Sequence, residues 1–314
     1  MEYSKAVSTM HSGDQVEGFY ILKSALPKTA SNGRPFLNAA LSDKTGAIDA
    51  KVWDYPGPIN SSNEGEVVWV RGTVSEFRGS PQVTVEKIRL AESQDRYDLS
   101  ALVPTAPIDA ESMLAEVRRL LGSIEDDYRQ VSLELLRRHE AAFRSIPAAK
   151  SVHHAFLGGL LMHTGNMMKM ADLLAGLYTS TVDRSLLLAG TFAHDLRKES
   201  EFAFSPLGLA ADYSVKGQLL GHLVMGAQEV AEVCRELGVD EEKSVLLQHM
   251  VLSHHGEPEF GAAVRPMCAE SELLSYLDLI DSRMEIYRET YENMERGEFS
   301  GRIFALEKRV YKHA

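Results

Sequence analysis

The pattern of apolar residues in this 314-residue chain changes once, near residue 100, and this change limits the fold more than any other feature. Before it, short segments rich in β-forming residues are separated by turn signals, such as the Ser-Asn-Gly sequence at 31–33. After it, apolar residues recur at three- and four-residue steps, which is the period of an amphipathic helix. Because single hydrophobic cores stop growing near this length, we expect two domains, the first all-β and the second all-α.

Five segments of the first part are predicted to be strands: residues 19–22, 36–41, 48–53, 67–72 and 82–85. So many short strands in a small region suit a closed barrel, because closure leaves no strand edge unpaired. A polar and basic loop at 28–34 joins the first two segments. We therefore predict a β-barrel domain over residues 1–97.

A linker is predicted over residues 98–112, where Pro104 and Pro107 lie among apolar residues. Helical periodicity covers 110–121, 126–143, 158–177, 185–195, 218–237, 241–253, 270–295 and a last segment, 301–311. We therefore predict an all-α domain over residues 113–314.

Charge and cysteine content narrow the class of protein. The net charge of −12 argues against a broad basic surface, so a nucleic-acid substrate would need a local groove. Two cysteines, Cys234 and Cys268, are too few for a disulfide framework and fit a reducing cytoplasm. No run approaches the ~20 apolar residues that span a bilayer, so we expect a cytoplasmic protein without a membrane partner.

Histidines and carboxylates recur at helix-scale intervals in the second part. Any one of them alone would more often be a core or surface residue than a metal ligand, but the set predicts a metal site assembled from several helices. Imidazole and carboxylate together suit Mn²⁺, Mg²⁺, Co²⁺ or Fe²⁺. Two such ions, about 3.5–4 Å apart, can clamp a phosphate and generate hydroxide, which predicts hydrolysis of a phosphate ester. The set is His163, His194, Asp195, His222, His254 and Asp278.

This order resembles the H…HD…H…H…D pattern of the HD-domain metal-dependent phosphohydrolases. Three further blocks are similar to those of the YhaM-type 3′→5′ exoribonucleases: the Lys-Thr-Gly turn within 41–53, the block 148–161, and Ser-His-His-Gly at 253–256. The order of a barrel, a linker and a helical domain is also that of this family, in which the barrel is an OB-fold and the helical part an HD domain. The resemblance covers almost the whole chain.

The resemblance implies roles for the individual residues. One ion would be held by His163, His194, Asp195 and Asp278. Asp195 would bridge to a second ion held by His222 and His254, with His255 as an alternative ligand or as a group behind the ligands. Mn²⁺ is the favoured metal, and Co²⁺, Mg²⁺ and Fe²⁺ stay open. Lys198 would neutralise phosphate charge and, with Asp195, is the predicted catalytic residue.

Two positions depart from the family pattern. Arg197 replaces a glycine, and its long side chain can contact a phosphate, crowd the substrate or point to solvent; we include it among the predicted substrate contacts. Met162 replaces a common glutamate, so that carboxylate is missing behind the ligands. His154, in the 148–161 block, is predicted to lie on the substrate side or behind the ligands.

OB-folds bind single strands by stacking bases on aromatic rings and following the backbone with cations. The predicted stacking residues are Phe36 and Trp53. The predicted phosphate partners are Lys28, Arg34, Lys44 and Lys51, and the weaker aromatic candidates are Tyr20, Trp69 and Phe77. We expect about half of these aromatic side chains to fill the barrel interior instead.

Together with these residues, the resemblance implies a metal-dependent 3′→5′ exoribonuclease acting on single-stranded RNA, with single-stranded DNA as an open second substrate. One alternative is an HD phosphohydrolase acting on a nucleotide or cyclic nucleotide, with the barrel as a docking module. Another is a non-catalytic RNA-binding protein whose metal site has decayed. Homo-oligomerisation is left open.

Overall fold

The computed structural model describes residues 5–77, 79–150 and 154–313. Contacts divide the chain into two compact units: a barrel unit, Met1–Pro104 with Ser205–Leu207, and a helical unit, Thr105–Phe204 with Gly208–Ala314. The predicted architecture, a β-barrel followed by a helical domain, is confirmed. The domain boundaries at 97/98 and 112/113 stay predictions. Within the described residues, no helix is both long and apolar enough to cross a membrane.

The barrel is closed by five strands in the order β1-β2-β3-β5-β4. The strands are β1 (Gln15–Thr29), β2 (Pro35–Asp43), β3 (Gly46–Trp53), β4 (Val67–Phe77) and β5 (Ser80–Leu90). Neighbours pair antiparallel except β3 and β5, which pair parallel. The strands extend beyond the predicted segments, and β1 in particular continues into the stretch predicted as a basic loop.

Alternation of inward and outward side chains gives the barrel its core. On β2, Leu37, Ala39 and Leu41 are buried. Phe36 belongs to the alternate set of positions, which face the other side of the strand, and is partly exposed. At Gly72 a side chain would meet the carbonyl oxygen of Thr84 at 2.3 Å, so only glycine lets β4 and β5 approach this closely.

In the described part of the chain, eight α-helices and two small sheets follow α1 (Leu99–Leu102); α1 and the first residues of α2 fall within the predicted linker. The helices are α2 (Ala110–Gly122), α3 (Asp126–Ser145), α4 (Gly159–Leu177), α5 (Arg184–Ala193), α6 (Lys198–Glu201), α7 (Val215–Leu237), α8 (Glu241–Ser253) and α9 (Ala269–Glu292). The two-stranded sheets pair β6 (Phe202–Phe204) with β7 (Ala210–Tyr213), and β8 (Glu298–Phe299) with β9 (Tyr311–Lys312). Buried faces of α2 to α5 and α7 to α9 form one hydrophobic core.

The predicted helix at 301–311 is wrong. This segment holds a short 3₁₀ turn, Phe304–Leu306, and leads into β9. Its apolar residues pack on a neighbouring helix although the segment itself is not helical: Leu306 and Val310 are buried against Ile286 of α9. Ile303, which packs against the same cluster, lies three residues before Leu306 and seven before Val310, so these apolar residues have helical spacing without forming a helix.

Candidate metal centre and nucleic-acid surface

Five elements of the helical unit bring the six predicted metal ligands to one place. His163 lies on α4 and Asp278 on α9, whereas His194 and His254 are the C-cap residues directly after α5 and α8. His222 follows Gly221, whose φ of 69° interrupts α7. Such a conformation favours glycine. The helix end after α5 lets the adjacent His194 and Asp195 face the same centre, which two consecutive residues within a helix cannot do.

Asp195 lies at the middle of this cluster and is 2% exposed. Its Oδ2 atom is 3.3 Å from Nε2 of His194 and 3.7 Å from Nε2 of His163. Its Oδ1 atom is 3.3 Å from Nε2 of His222 and 3.7 Å from Nε2 of His254. The two carboxylate oxygens therefore face two different pairs of imidazoles, the arrangement that a carboxylate shared by two cations requires.

Asp278 lies on the side of the cluster that Asp195 Oδ2 faces. Its Oδ1 atom is 3.4 Å from Nε2 of His163, and that nitrogen is 3.3 Å from Nε2 of His194. His255, the alternative to His254, belongs to a second group of imidazole atoms formed with His222 and His254. Because Nε2 of His254 faces Asp195 directly, the geometry favours His254, and the choice stays a prediction.

The outward nitrogen of each clustered imidazole is held by another group. The Nδ1 contacts are His163 to Asp281 Oδ2 at 2.7 Å, His194 to the Thr191 carbonyl at 2.6 Å, His222 to Glu201 Oε1 at 2.9 Å, and His254 to the Val251 carbonyl at 2.8 Å. An Nδ1–H that donates to a carboxylate or carbonyl leaves the Nε2 lone pair free. All four rings thus present Nε2 to the same centre.

Three atoms of the cluster are buried without a hydrogen-bond partner among the described residues: Asp195 Oδ1, His222 Nε2 and His254 Nε2. Buried lone pairs with no partner are costly, and a cation satisfies them at once. Imidazole nitrogens with carboxylate oxygens form a donor set for a hard or borderline divalent ion. The residues present therefore fit a divalent metal.

The electrostatics of the cluster keep its carboxylates charged. Burial by itself would raise the pKa of Asp195, but Lys198, with Nζ 2.6 Å from Asp195 Oδ2, and His194 hold it well below its ordinary value. Burial likewise opposes ionisation of Asp278, yet its contact with His163 lowers the pKa of that carboxyl. Burial lowers the pKa of His254 well below its ordinary value, which leaves this imidazole neutral. Neutral imidazoles and ionised carboxylates are the forms that bind metals.

His163 differs from His254, because two carboxylates contact it. Burial lowers its pKa, but the contacts with Asp278 and Asp281 outweigh this effect and raise the pKa to about 10. A cation that binds at His163 must therefore displace a proton.

Sequence reasoning missed two carboxylates that lie directly behind the cluster. Asp281 Oδ2 is 2.7 Å from both His163 Nδ1 and His154 Nε2, and it is 7% exposed. Glu201 accepts from both the ring and the backbone N–H of His222. A signal existed for Asp281, because it lies three residues after Asp278 and so shares a face of α9.

His154 is fully buried and bonded to Asp281, with φ of 54°. Of the two positions predicted for it, the structure therefore favours the one behind the ligands over the substrate side. Residues 151–153 of the same block lie outside the described residues.

Lys198 and Arg197 differ in what they contact, although they are adjacent. Lys198 contacts Asp195, as noted above. Arg197 instead places Nη1 3.2 Å from Glu199 and 3.0 Å from Glu229, and Nη2 bonds Ser200 Oγ at 2.7 Å. Both carboxylates would have to release Arg197 before it could contact a substrate, so the structure does not bring it into the cluster.

On the barrel, three predicted contact residues form one group. Phe36 on β2 lies opposite Trp53 on β3, and their ring centroids are 5.2 Å apart at a tilt of 33°. Lys51 Nζ lies 5.5 Å from the Trp53 ring and 4.6 Å from the ring of Phe77. Trp53 is 51% exposed, so a base can reach it.

The remaining cations are distributed differently. Lys28 is the β1 partner of Phe36, and Arg34 forms an ion pair with Asp54 at 3.3 Å. Lys44 lies in the turn at the opposite end of the β2–β3 hairpin from Trp53, so the structure does not bring it to the aromatic group.

Of the five aromatic candidates only Tyr20 fills the barrel interior, so the expectation that about half of them would do so is wrong. Tyr20 is fully buried and its hydroxyl donates to the Lys5 carbonyl. Trp69 lies beneath two arginines that the sequence did not single out, Arg71 at 5.4 Å and Arg89 at 5.6 Å from its ring. A surface pocket of about 530 Å³ is lined by Trp53, Trp69 and these two arginines, among other residues.

Fold and site together define a class: an OB-fold barrel joined to an HD domain. Family models agree, since the OB-fold nucleic acid binding domain matches residues 21–91 and the HD domain matches residues 160–283. The second OB-fold domain of replication protein A from Methanococcus maripaludis resembles 31% of this chain and 100% of its own, at 16% identity and a TM-score of 0.24. That likeness is too low to add to the assignment.

Relatives make the assignment specific. The 3′-5′ exoribonuclease YhaM of Geobacillus sp. (strain WCH70) is 37% identical over 310 residues, covering 98% of this chain and 94% of that protein. The protein of the same name from Bacillus subtilis (strain 168) is 35% identical over 310 residues, covering 98% of each. The chain belongs to this YhaM family of OB-fold and HD-domain hydrolases.

Proposed function

We propose that this chain is a metal-dependent 3′→5′ exoribonuclease that shortens single-stranded RNA. The observation that carries the proposal is Asp195, a buried carboxylate whose two oxygens each face two imidazole Nε2 atoms. Such a centre suits hydrolysis of phosphate esters. Relatives that match almost the whole chain are named 3′-5′ exoribonuclease, which supports RNA as the substrate and the 3′ end as the point of attack.

We assign two metal ions to the cluster. His163, His194, Asp195 and Asp278 would hold one, and Asp195, His222 and His254 would hold the other. Mn²⁺ is our first choice because the donors mix imidazole nitrogen with carboxylate oxygen, and Co²⁺, Mg²⁺ and Fe²⁺ accept the same donors. When bound, such ions supply Lewis acidity and lower the pKa of water.

The chain itself contributes a cation beside the centre. The side chain of Lys198 is 15% exposed, and burial, which would lower its pKa, is outweighed by Asp195, which raises it. The ammonium group therefore stays charged in a site with little water. We assign to it the stabilisation of negative charge on the phosphorus oxygens during hydrolysis, since a fixed charge in a dry site acts strongly.

The barrel would hold the strand while its end is removed. Phe36 and Trp53 would stack bases, and Lys51 would contact a phosphate, with Lys28 and Arg34 as further phosphate partners. Arg34 would share its charge between Asp54 and the strand. Stacking and phosphate contacts do not depend on a 2′-hydroxyl, so we keep single-stranded DNA as a second substrate.

The first experiment follows a single-stranded RNA labelled at its 5′ end, incubated with Mn²⁺ or with EDTA and resolved on a denaturing gel. We expect a ladder of products that shortens from the 3′ end with Mn²⁺ and intact RNA with EDTA. A second RNA labelled at its 3′ end should release its label as a mononucleotide in the first step.

The opposite results are equally specific. Release of short oligonucleotides from the 5′ end would reverse the proposed direction. RNA that stays intact with every divalent metal, while free nucleotides are hydrolysed, would replace the proposal by a nucleotide phosphohydrolase.

A cytoplasmic location and homo-oligomerisation stay predictions. The first is supported by the two cysteines, which are both free. Size-exclusion chromatography with light scattering measures the second.

A further inference from the structure

The small sheet at the end of the helical unit carries an exposed aromatic pair. Phe299 on β8 and Tyr311 on β9 lie directly opposite each other, with ring centroids 4.9 Å apart at a tilt of 45°. The guanidinium of Arg309 lies 5.2 Å from the Phe299 ring. Phe299 is 60% and Tyr311 45% exposed, so these rings are not part of a core.

The barrel contains the same construction. Phe36 and Trp53 also lie directly opposite each other on two antiparallel strands, and Lys51, two residues before Trp53, lies over the pair. Arg309 is likewise two residues before Tyr311. Lys51 shares a face of β3 with Trp53, since residues two apart on a strand share a face. Arg309 lies just before β9, and its position over the Phe299 ring gives the second hairpin the same arrangement of a cation and two rings.

Charge sets this segment apart from the rest of the chain. Residues 296–313 contain five Lys and Arg against two Glu, a net charge of +3 in a protein of net charge −12. Earlier arginines of the helical unit, such as Arg118 and Arg184, pair with carboxylates. After Arg288, none of the described lysines and arginines forms an ion pair with a described carboxylate. Arg309 donates through Nε to the Ser300 carbonyl oxygen, and Lys312 also donates to backbone carbonyls; these neutral partners leave the positive charge of the segment uncompensated by carboxylates.

The opposite face of the segment anchors it to α9. Val310 and Leu306 are buried against Ile286. Lys312 donates to the carbonyl oxygens of Tyr291 and Met294, where α9 ends, a favourable place for a cation. Because the inner face supplies the packing, the outer rings can be changed without removing what holds the segment in place.

We propose that the outer face formed by Phe299, Arg309 and Tyr311 is a second contact site for single-stranded nucleic acid. The identity of the strand as RNA rests on the proposed function. The two rings would stack bases, and Arg309 would contact the backbone phosphates. Long strands would occupy this face as well as the barrel, and so bind more tightly than short ones.

The test measures binding of a 5′-fluorescein 30-nucleotide RNA by fluorescence anisotropy, in EDTA so that the RNA stays intact. The double variant Phe299→Leu, Tyr311→Leu keeps apolar side chains but removes the ring faces, and should bind about tenfold more weakly. Arg309→Gln should make the slope of log K against log salt shallower by about 0.7. The matched control is Phe304→Leu, a residue of the same segment that is 95% exposed and shows no ring partner among the described residues; it should bind within twofold of the parent.

Two further measurements distinguish loss of base stacking from loss of folding in the double variant. The loss in the double variant should shrink as the RNA is shortened, and should vanish when abasic sites replace the bases, because stacking requires a base. Thermal melting should be unchanged, since the inner face of the segment is intact.

Each contrary result has one meaning. If the parent protein neither binds nor degrades RNA, the proposed function fails. If it does both, but the double variant binds the 30-mer with parental affinity, only this second site fails. A double variant with parental RNA affinity and a lower mass by light scattering would show that the face joins copies of this chain instead.

Discussion

The proposed metal-ligand cluster of the helical unit and the aromatic surface of the barrel are built in opposite ways. In the cluster, Asp195 and His194 are buried, and each ring nitrogen that points outward is held by a specific partner. On the barrel, Trp53 is half exposed and Lys51 is shared among three rings. The comparison teaches that the first arrangement depends on fixed geometry, whereas an exposed stacking surface of the second kind is suited to many bases and sequences.

The difference has an electrostatic consequence. Buried charges interact in a medium of low dielectric and are little screened by salt, whereas exposed cations are screened within about 10 Å at 0.1 M salt. Changes in the cluster should therefore abolish hydrolysis at any ionic strength. Changes on the barrel should alter affinity, and with it the salt dependence.

The largest effect is expected at Asp195. Asp195→Asn keeps the shape of the side chain but removes its charge, and hydrolysis of RNA should fall by at least about a thousandfold. Binding of RNA in EDTA should stay within threefold of the parent, since the strand is held elsewhere. Initial rates and anisotropy measure the two quantities. Hydrolysis near the parental rate would contradict the central position assigned to this carboxylate.

A smaller effect, a loss of metal affinity, is expected when Asp281 is changed, because this residue orients His163 but does not face the centre of the cluster. Asp281→Asn should weaken Mn²⁺ binding by about 10- to 100-fold, because residues that orient a ligand ring are worth this much. Calorimetric titration with Mn²⁺ measures the affinity, and excess Mn²⁺ should restore part of the activity. Asp172→Asn, which breaks a surface pair with Arg184, is the control and should leave Mn²⁺ affinity unchanged. Equal affinities of the two variants would remove Asp281 from the site.

On the barrel we expect a change in affinity without a change in chemistry. Trp53→Leu should raise KM for a long RNA about tenfold, and kcat should stay within twofold. Lys51→Gln should also make the salt dependence of binding shallower. Lys44→Gln, at the other end of the hairpin, is the matched comparison. An effect of Lys44→Gln as large as that of Lys51→Gln would show that the strand follows the whole hairpin.

The smallest effect concerns a buried charge away from the cluster. His139 lies between Glu199 at 2.7 Å and Glu229 at 2.6 Å; burial lowers its pKa, but the two carboxylates outweigh this and raise it to about 9. A raised histidine pKa adds stability that is complete below pH ~6.5, the value in an unfolded chain, and is lost as the pH rises through about 9.

The matched variant is His139→Gln. It should be less stable than the parent at pH 6 by on the order of 2 kcal/mol, and the difference should largely disappear at pH 9.5. Urea unfolding at the two pH values measures it. A difference that is independent of pH would mean that His139 contributes packing but no charge.

Much of the fold was predictable because it depends on local patterns. The change from strand to helix near residue 100 follows from spacing and turn residues alone, and the closed barrel and helical unit agree with it. The helix predicted at 301–311 is wrong, because the apolar residues of this segment pack on α9. Ile286, which they contact, lies about twenty residues earlier in the chain. Local periodicity cannot distinguish a helical face from a loop that packs on a helix.

The sequence by itself determined the chemistry available to this protein: a set of histidines and aspartates in a recognisable order, and a barrel rich in aromatic and basic residues. Tertiary structure decided which of these side chains meet. It alone showed that Phe36 faces outward beside Trp53, that Asp281 joins His154 to His163, and that two glutamates hold Arg197. The physical reason is that residue spacing sets the face of one element, whereas contacts between elements depend on how distant segments pack.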